Sequence, residues 1–102
     1  MENVNYTKND NVLTIALSGH IDSANAPDVE AKITEIREAN PCDSAIVDCD
    51  NLQYISSAGL RGLLLGHKTA MSKGGSMVLN NVNDAVLEVF KMTGFINILT
   101  IQ

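Results

Sequence analysis

Tryptophan is absent, and only two Phe and two Tyr occur in 102 residues. A core must therefore be built from Val, Ile, Leu, Met and Ala. Cations are scarce as well: seven Lys and Arg stand against twelve Asp and Glu, a formal net charge of -5. Nucleic-acid binding needs clustered Lys and Arg to displace phosphate counterions, and these seven are scattered. An anionic membrane surface is disfavoured for the same reason. No apolar run approaches the roughly 18 residues that a membrane-spanning helix requires. No basic stretch followed by an apolar segment opens the chain, so no signal peptide is expected and the protein is read as soluble and cytoplasmic. Cys42 and Cys49 are the only cysteines. They lack CxxC spacing and a nearby His, and read as inert thiols of a reducing compartment.

What is present is an ordinary globular composition, 45% hydrophobic and 19% charged. It is enough for one domain, residues 1–102, around one core. Val4 and Tyr6 alternate with polar residues, as do Leu13, Ile15 and Leu17, and Asn9-Asp10-Asn11 between them is turn chemistry. An N-terminal hairpin is predicted. In Ala26–Ala39, Val29, Ile33 and Ile36 recur at helical spacing, with Pro27 in the first turn and Asn40-Pro41 as the stop. Ala45–Cys49 reads as a short buried strand and Leu52–Ile55 as a connector. Ser56 introduces a second helix running to Lys73, closed by Gly74-Gly75. Met77–Leu79 is a further buried strand. Asn83 caps a third helix that ends at Gly94, and Ile96–Ile101 is expected to add an edge strand. The order β-β-α-β-α-β-α-β implies an α/β fold: a mixed, largely parallel sheet with helices packed against it.

No enzyme is visible in this pattern. His20 and His67 are far apart, and His67 shares a helical face with Leu60, Leu64 and Met71, as an edge-of-core residue would. Asp43, Asp48 and Asp50 lack the spacing of a calcium loop. Gly59, Gly62 and Gly66 form neither a Walker loop nor a GxGxxG turn. No catalytic residue, metal site or cofactor is expected.

The unusual segment is Tyr54-Ile55-Ser56-Ser57-Ala58-Gly59-Leu60-Arg61-Gly62. Two hydroxyls sit where a connector becomes a helix. Ser56 capping the helix, with Ser57 merely tolerated beside it, is one reading. The other is that Ser57 faces unpaired first-turn N–H groups and the positive end of the helix dipole, where a phosphate is well accommodated. Further along, Leu60, Leu63, Leu64, His67 and Met71 form a stripe toward the sheet. Opposite them lie Ala58, Gly62, Leu65, Gly66 and Thr69, flanked by Arg61 and Lys68. A solvent-facing side would normally be charged. A small, uncharged one suits close approach, either by a partner protein or by another layer of the same domain.

In this order and spacing the sequence resembles the STAS domain, named for sulfate transporters and anti-sigma factor antagonists, and in particular the stand-alone bacterial antagonists. The resemblance covers nearly the whole chain. It is carried by Leu17-Ser18-Gly19-His20-Ile21-Asp22, by Ile46-Val47-Asp48, by Tyr54–Leu60, and by Lys73-Gly74-Gly75 with the strand and the Val86–Gly94 segment that follow. It implies a single STAS-like domain that binds partners and catalyses nothing. It places the family's phosphoacceptor serine on Ser57, its helix-opening Gly-Leu on Gly59-Leu60, and its acidic neighbour on Asp22. The residues expected at the partner are Asp22, Ser56, Ala58, Gly59, Arg61, Gly62, Leu65, Gly66 and Thr69.

The implied cycle has two partners. An anti-sigma factor that is itself a serine kinase phosphorylates the acceptor, and a metal-dependent serine phosphatase restores it. The bare form binds the kinase and frees the sigma factor. The sequence departs from the family's pattern where Asp usually precedes the acceptor: Ser56 stands there, and Ala58 replaces the second hydroxyl residue. Ser56 is thus the alternative acceptor. Other roles that a STAS chain can take are an unphosphorylated scaffold subunit and a small-molecule or nucleotide-binding module.

Overall fold

Alternate aliphatic residues set the position of the sheet. In the computed structural model, which describes residues 2–102, strand β1 (Val4–Asn9) pairs antiparallel with β2 (Val12–Ile21). Asp10 makes the turn at φ +52°, a left-handed conformation that Asp tolerates. Strand β3 (Ser44–Ile55) lies parallel to β2, and β4 (Ser76–Asn80) parallel to β3, giving the order β1-β2-β3-β4. The registers align Leu13, Ala45 and Met77 in one row and Ile15, Val47 and Leu79 in the next. All six are buried. Their neighbours Thr14, Ile46 and Val78 form the intervening row and stay half-exposed. One face of the sheet thus carries the core.

That face is covered by helices α1 (Ala26–Ala39), α2 (Ser57–Ser72) and α3 (Asp84–Thr93). Both parallel crossovers step in the same direction along the sheet, so right-handed connections place α1 and α2 on one side. Val29 and Ile36 of α1, Leu60 and Leu63 of α2, and Val86 and Phe90 of α3 are buried in the common core. Each helix ends where its sequence says it should. The Asn40 side chain donates to the Ile36 carbonyl at 2.9 Å before Pro41. Asn83 accepts from the Val86 N–H at 2.8 Å, and Gly94 closes α3 at φ +80°.

Three expectations are corrected. β3 is one continuous strand, with no break after Cys49. Its pairing with β2 persists to Ile55 through register shifts between Ala16 and Ser18 and between Gly19 and His20, and such irregularities absorb the polar Asp50-Asn51 step that reads as a connector. The final edge strand is absent. After Gly94 the chain turns into a short 3-10 helix, Phe95–Asn97, whose Phe95 carbonyl takes the N–H groups of both Ile98 and Leu99. The chain end meets the sheet in a single bridge between Ile101 and Leu79, through bonds from Leu79 N–H to the Thr100 carbonyl and from Gln102 N–H to the Leu79 carbonyl, each 2.9 Å. Met71, expected on the buried stripe of α2, is 58% exposed, and Ala70 takes its place. At about 100° per residue a seven-residue spacing drifts by ~20°, enough to carry the last position off the stripe.

Cys49 is fully buried in the core, and desolvation, helped by the neighbouring Asp48 carboxylate, pushes its thiol up to about 12. Cys42 is half-buried and free. His67 is half-buried, and its Nδ1 is shielded from solvent without a hydrogen-bond partner.

The α2–β4 turn contains two glycines with different requirements. Gly74 adopts φ +76° in open space, whereas a Cβ on Gly75 would collide with the Asp43 carbonyl oxygen. Gly74→Asn should therefore cost under ~1 kcal/mol, while Gly75→Ala should cost about 1–3 kcal/mol by forcing the β3 and β4 starts apart. Urea melts of the two variants measure the difference.

Candidate functional site

Parallel strands end together, and at their carboxyl ends the chain must turn back toward the helices. In open α/β sheets that is where binding sites gather. Here β2 ends at Ile21 and β3 at Ile55, paired across the sheet. Ser56 N–H donates to the Ile21 carbonyl at 2.8 Å, locking the two ends together as β3 gives way to α2. Ser56 is extended at φ -83° and ψ 169°, and its Oγ accepts the Gly59 N–H at 3.2 Å. This is an N-cap, and the residue is 8% exposed. Its hydroxyl is already committed.

Ser57 opens α2 and is exposed. Of the N–H groups at this helix end, Ser56's is held by Ile21 and Gly59's by Ser56. Those of Ser57 and Ala58 are left, for which the helix itself offers no acceptor. No acidic residue lies in the first turn. Arg61, one turn on, is exposed. The start of α2 is thus electropositive and able to hold an anion on Ser57.

Gly59 explains why this corner is so tight. A Cβ there would stand 2.7 Å from Ile55 Cγ1 and 2.9 Å from Ile21 Cγ2. Only glycine lets the first turn of α2 rest on the two strand ends. Gly59 and Ser56, both expected among the partner contacts, are buried parts of the helix-start architecture.

Asp22 follows β2 directly and is exposed. Its Oδ1 accepts the N–H groups of Ala24 at 2.9 Å and Asn25 at 3.1 Å, and its carbonyl accepts from Ala26 N–H at 2.9 Å. Asn25 returns the contact, accepting from Asp22 N–H at 2.9 Å and donating to the His20 carbonyl at 2.9 Å. Asp22 therefore shapes the turn into α1 while keeping its carboxylate at the surface. Two further residues at this end escaped the sequence reading as site members. His20 and Tyr54, register partners in the sheet, are both exposed with ring centroids 6.1 Å apart at 32°. Their signal was the register itself, which appears only once β3 is seen to continue to Ile55.

The remaining expected residues lie elsewhere. Gly62, Leu65, Gly66 and Thr69 run down α2 away from Ser57 and line a groove facing α1. A Cβ on Gly66 would be 3.0 Å from Arg37 Nη1. The uncharged side of α2 is thus the wall between two helices of its own domain, with Leu65, 52% exposed, and the flanking Arg61 and Lys68 open to solvent. Ala58 is half-buried.

An exposed serine thus stands at a helix start, on the carboxyl edge of a four-stranded mixed sheet. The described residues contain no cluster of His, Cys, Asp or Glu suited to a metal, and no helix among them is long and apolar enough to cross a membrane. The STAS domain model matches residues 3–102, and the chain belongs to the STAS domain family. It is 36% identical over 94 residues to BtrV of Bordetella bronchiseptica, described as an anti-sigma factor antagonist, spanning 92% of this chain and 80% of that one. It is 33% identical over 91 residues to an anti-sigma F factor antagonist of Paenibacillus polymyxa, spanning 88% of this chain and 77% of that one. The fold matches the solved anti-sigma factor antagonist SpoIIAA in its unphosphorylated form with a TM-score of 0.75 and 22% identity, over 97% of this chain and 87% of that one.

The two serines should separate in stability measurements. Ser56→Ala removes the cap and should cost about 1 kcal/mol, whereas Ser57→Ala should stay within ~0.5 kcal/mol of the parent. Thermal unfolding of both variants tests the assignment of roles.

Proposed function

We propose that this chain is an anti-sigma factor antagonist switched at Ser57. In its bare form it binds an anti-sigma factor that is also an ATP-dependent serine kinase, and the sigma factor is released. Phosphorylation of Ser57 by that kinase ends the binding, and a metal-dependent serine phosphatase restores it. The whole of residues 1–102 acts as one STAS module, a binding protein that works in the cytoplasm beside the transcription machinery it regulates. The family supports this reading, as do the names of the relatives, one of which exists in a form specified as unphosphorylated.

One observation carries it: of two adjacent hydroxyls at the start of α2, Ser57 is exposed while the Ser56 hydroxyl is buried in the cap. A kinase must bring the acceptor oxygen in line with the transferred phosphoryl group, which an exposed first-turn serine permits and a capping serine does not. Phosphate on Ser57 would meet the free N–H groups of Ser57 and Ala58 and the reach of Arg61 at i+4. The isolated protein then tolerates the added charge of about -1.5 to -2. The partner surface is drawn on the exposed groups of the same corner: Asp22, Ser57 and Arg61.

Incubation with the kinase and Mg-ATP, followed by intact-mass measurement, tests the acceptor. The parent and Ser56→Ala should each gain one phosphate and Ser57→Ala none. Stoichiometric phosphate on Ser57→Ala would move the acceptor to another residue and overturn the assignment.

A further inference from the structure

Between helices α1 and α2, above the amino ends of the strands, lies a groove of about 610 Å³. That volume lies in the range of about 300–1,000 Å³ typical of small-molecule sites. Ile33 of α1 and Leu65 of α2 both line it; Ile33 packs partly against the core and is half-buried, and Leu65 is 52% exposed, so each keeps some apolar surface open to the groove.

The glycines of α2 help keep the space open. A glycine inside a helix costs roughly 1 kcal/mol relative to Ala. At Gly62 a Cβ would make only ordinary contact, 3.6 Å from Glu30 Cβ, so the domain's own packing does not demand glycine there. Gly66 has a different role: it admits Arg37, whose Nη1 donates to the Gly66 carbonyl at 2.7 Å. The guanidinium has five N–H donors and is partly desolvated against α2, which lowers its pKa. No salt bridge reaches it among the described residues. The acidic groups of the lining are placed otherwise. Asp43 accepts from the Asn11 side chain at 2.6 Å, Glu38 is exposed to water, and Glu30 sits beside Gly62, about two turns from Arg37 along α1.

We propose that this groove binds a small carboxylic acid with an apolar body, its carboxylate paired with Arg37 and its body lying on Ile33 and Leu65. The planar fork of an arginine matches a carboxylate in a bidentate contact, and the aliphatic surface left open on the walls supplies the rest. The site is separate from the Ser57 corner and does not depend on the switch proposed there.

Octanoate titrated into the isotope-labelled protein tests the site by amide chemical shifts. Saturable shifts should appear at Gly62, Gly66 and Thr69, and 1-octanol, lacking the charge, should bind at least ~10-fold more weakly. Arg37→Met, which keeps an apolar stem, should weaken octanoate by a similar factor. Leucine as a second probe distinguishes an amino acid from a fatty acid as the source of the carboxylate. The proposal is overturned if neither carboxylate moves these amides, or if octanol binds the parent protein as tightly as octanoate. The octanol comparison needs no variant and stands even if Arg37→Met fails to fold.

Discussion

The hydrogen bond from Ser56 N–H to the Ile21 carbonyl, 2.8 Å long, is the contact on which the functional corner depends. It joins the last residue of β2 to the residue that ends β3 and caps α2. Everything at the site is measured from it. The extended backbone at Ser56 turns its Oγ toward Gly59 N–H, and the missing side chain of Gly59 lets α2 settle on Ile21 and Ile55. Ser57 is then held outward at the first helical position, while Asp22, one residue past Ile21, is held beside the same corner by its own turn. A buried cap and an exposed serine in adjacent positions leave one free hydroxyl at the helix start.

The departure from the family's usual residues is understandable in these terms. The residue before the acceptor must cap a helix from a buried position, and Ser does this as well as Asp. A buried carboxylate there would add a negative charge next to the phosphate, so Ser56 makes the first turn of α2 more hospitable to phosphoserine than an acid would. Ala58 removes a second hydroxyl at the cost of nothing in the cap, since its side chain takes no part in it. Cys49, by contrast, has no role in this corner: its thiol, held up at about 12 by burial, stays protonated, and below about pH 9 it contributes the full stability of a neutral core residue. That contribution falls as pH rises from there toward 12, where the unfolded thiol ionises first.

Much of this was legible in the sequence because the signals were local. Ala26–Ala39 could be bounded at both ends from Pro27 and Asn40-Pro41, and the caps at Ser56 and Asn83 from residue type alone. The exposure of Ser57 beside a capping Ser56 was legible as a serine in a helix's first turn. What stayed hidden was decided by partners distant in sequence. The continuity of β3 past Cys49 depends on β2 supplying bonds across two irregularities, and with it goes the pairing of His20 with Tyr54. The uncharged side of α2 could face a partner or its own domain. Only the position of α1, and of Arg37 in particular, shows that Gly62 and Gly66 look inward. The turn after Gly94 competes with strand formation for the same N–H groups, and no periodicity in Ile96–Ile101 records which wins.

The central claim is that phosphate acts at the interface and leaves the fold alone. A doubly charged group brought against a surface shaped for a hydroxyl carries a desolvation penalty of roughly 3–4 kcal/mol, whereas in the free protein it finds the N–H groups of the helix start. The most direct measurement is the affinity of the bare and Ser57-phosphorylated forms for the kinase anti-sigma factor, alongside amide spectra of both forms alone. The account predicts binding weaker by about 10²–10³-fold on phosphorylation, with shifts confined to the first turn of α2 and the Asp22 turn. Equal affinities, or a rearrangement spread across the sheet, would contradict it.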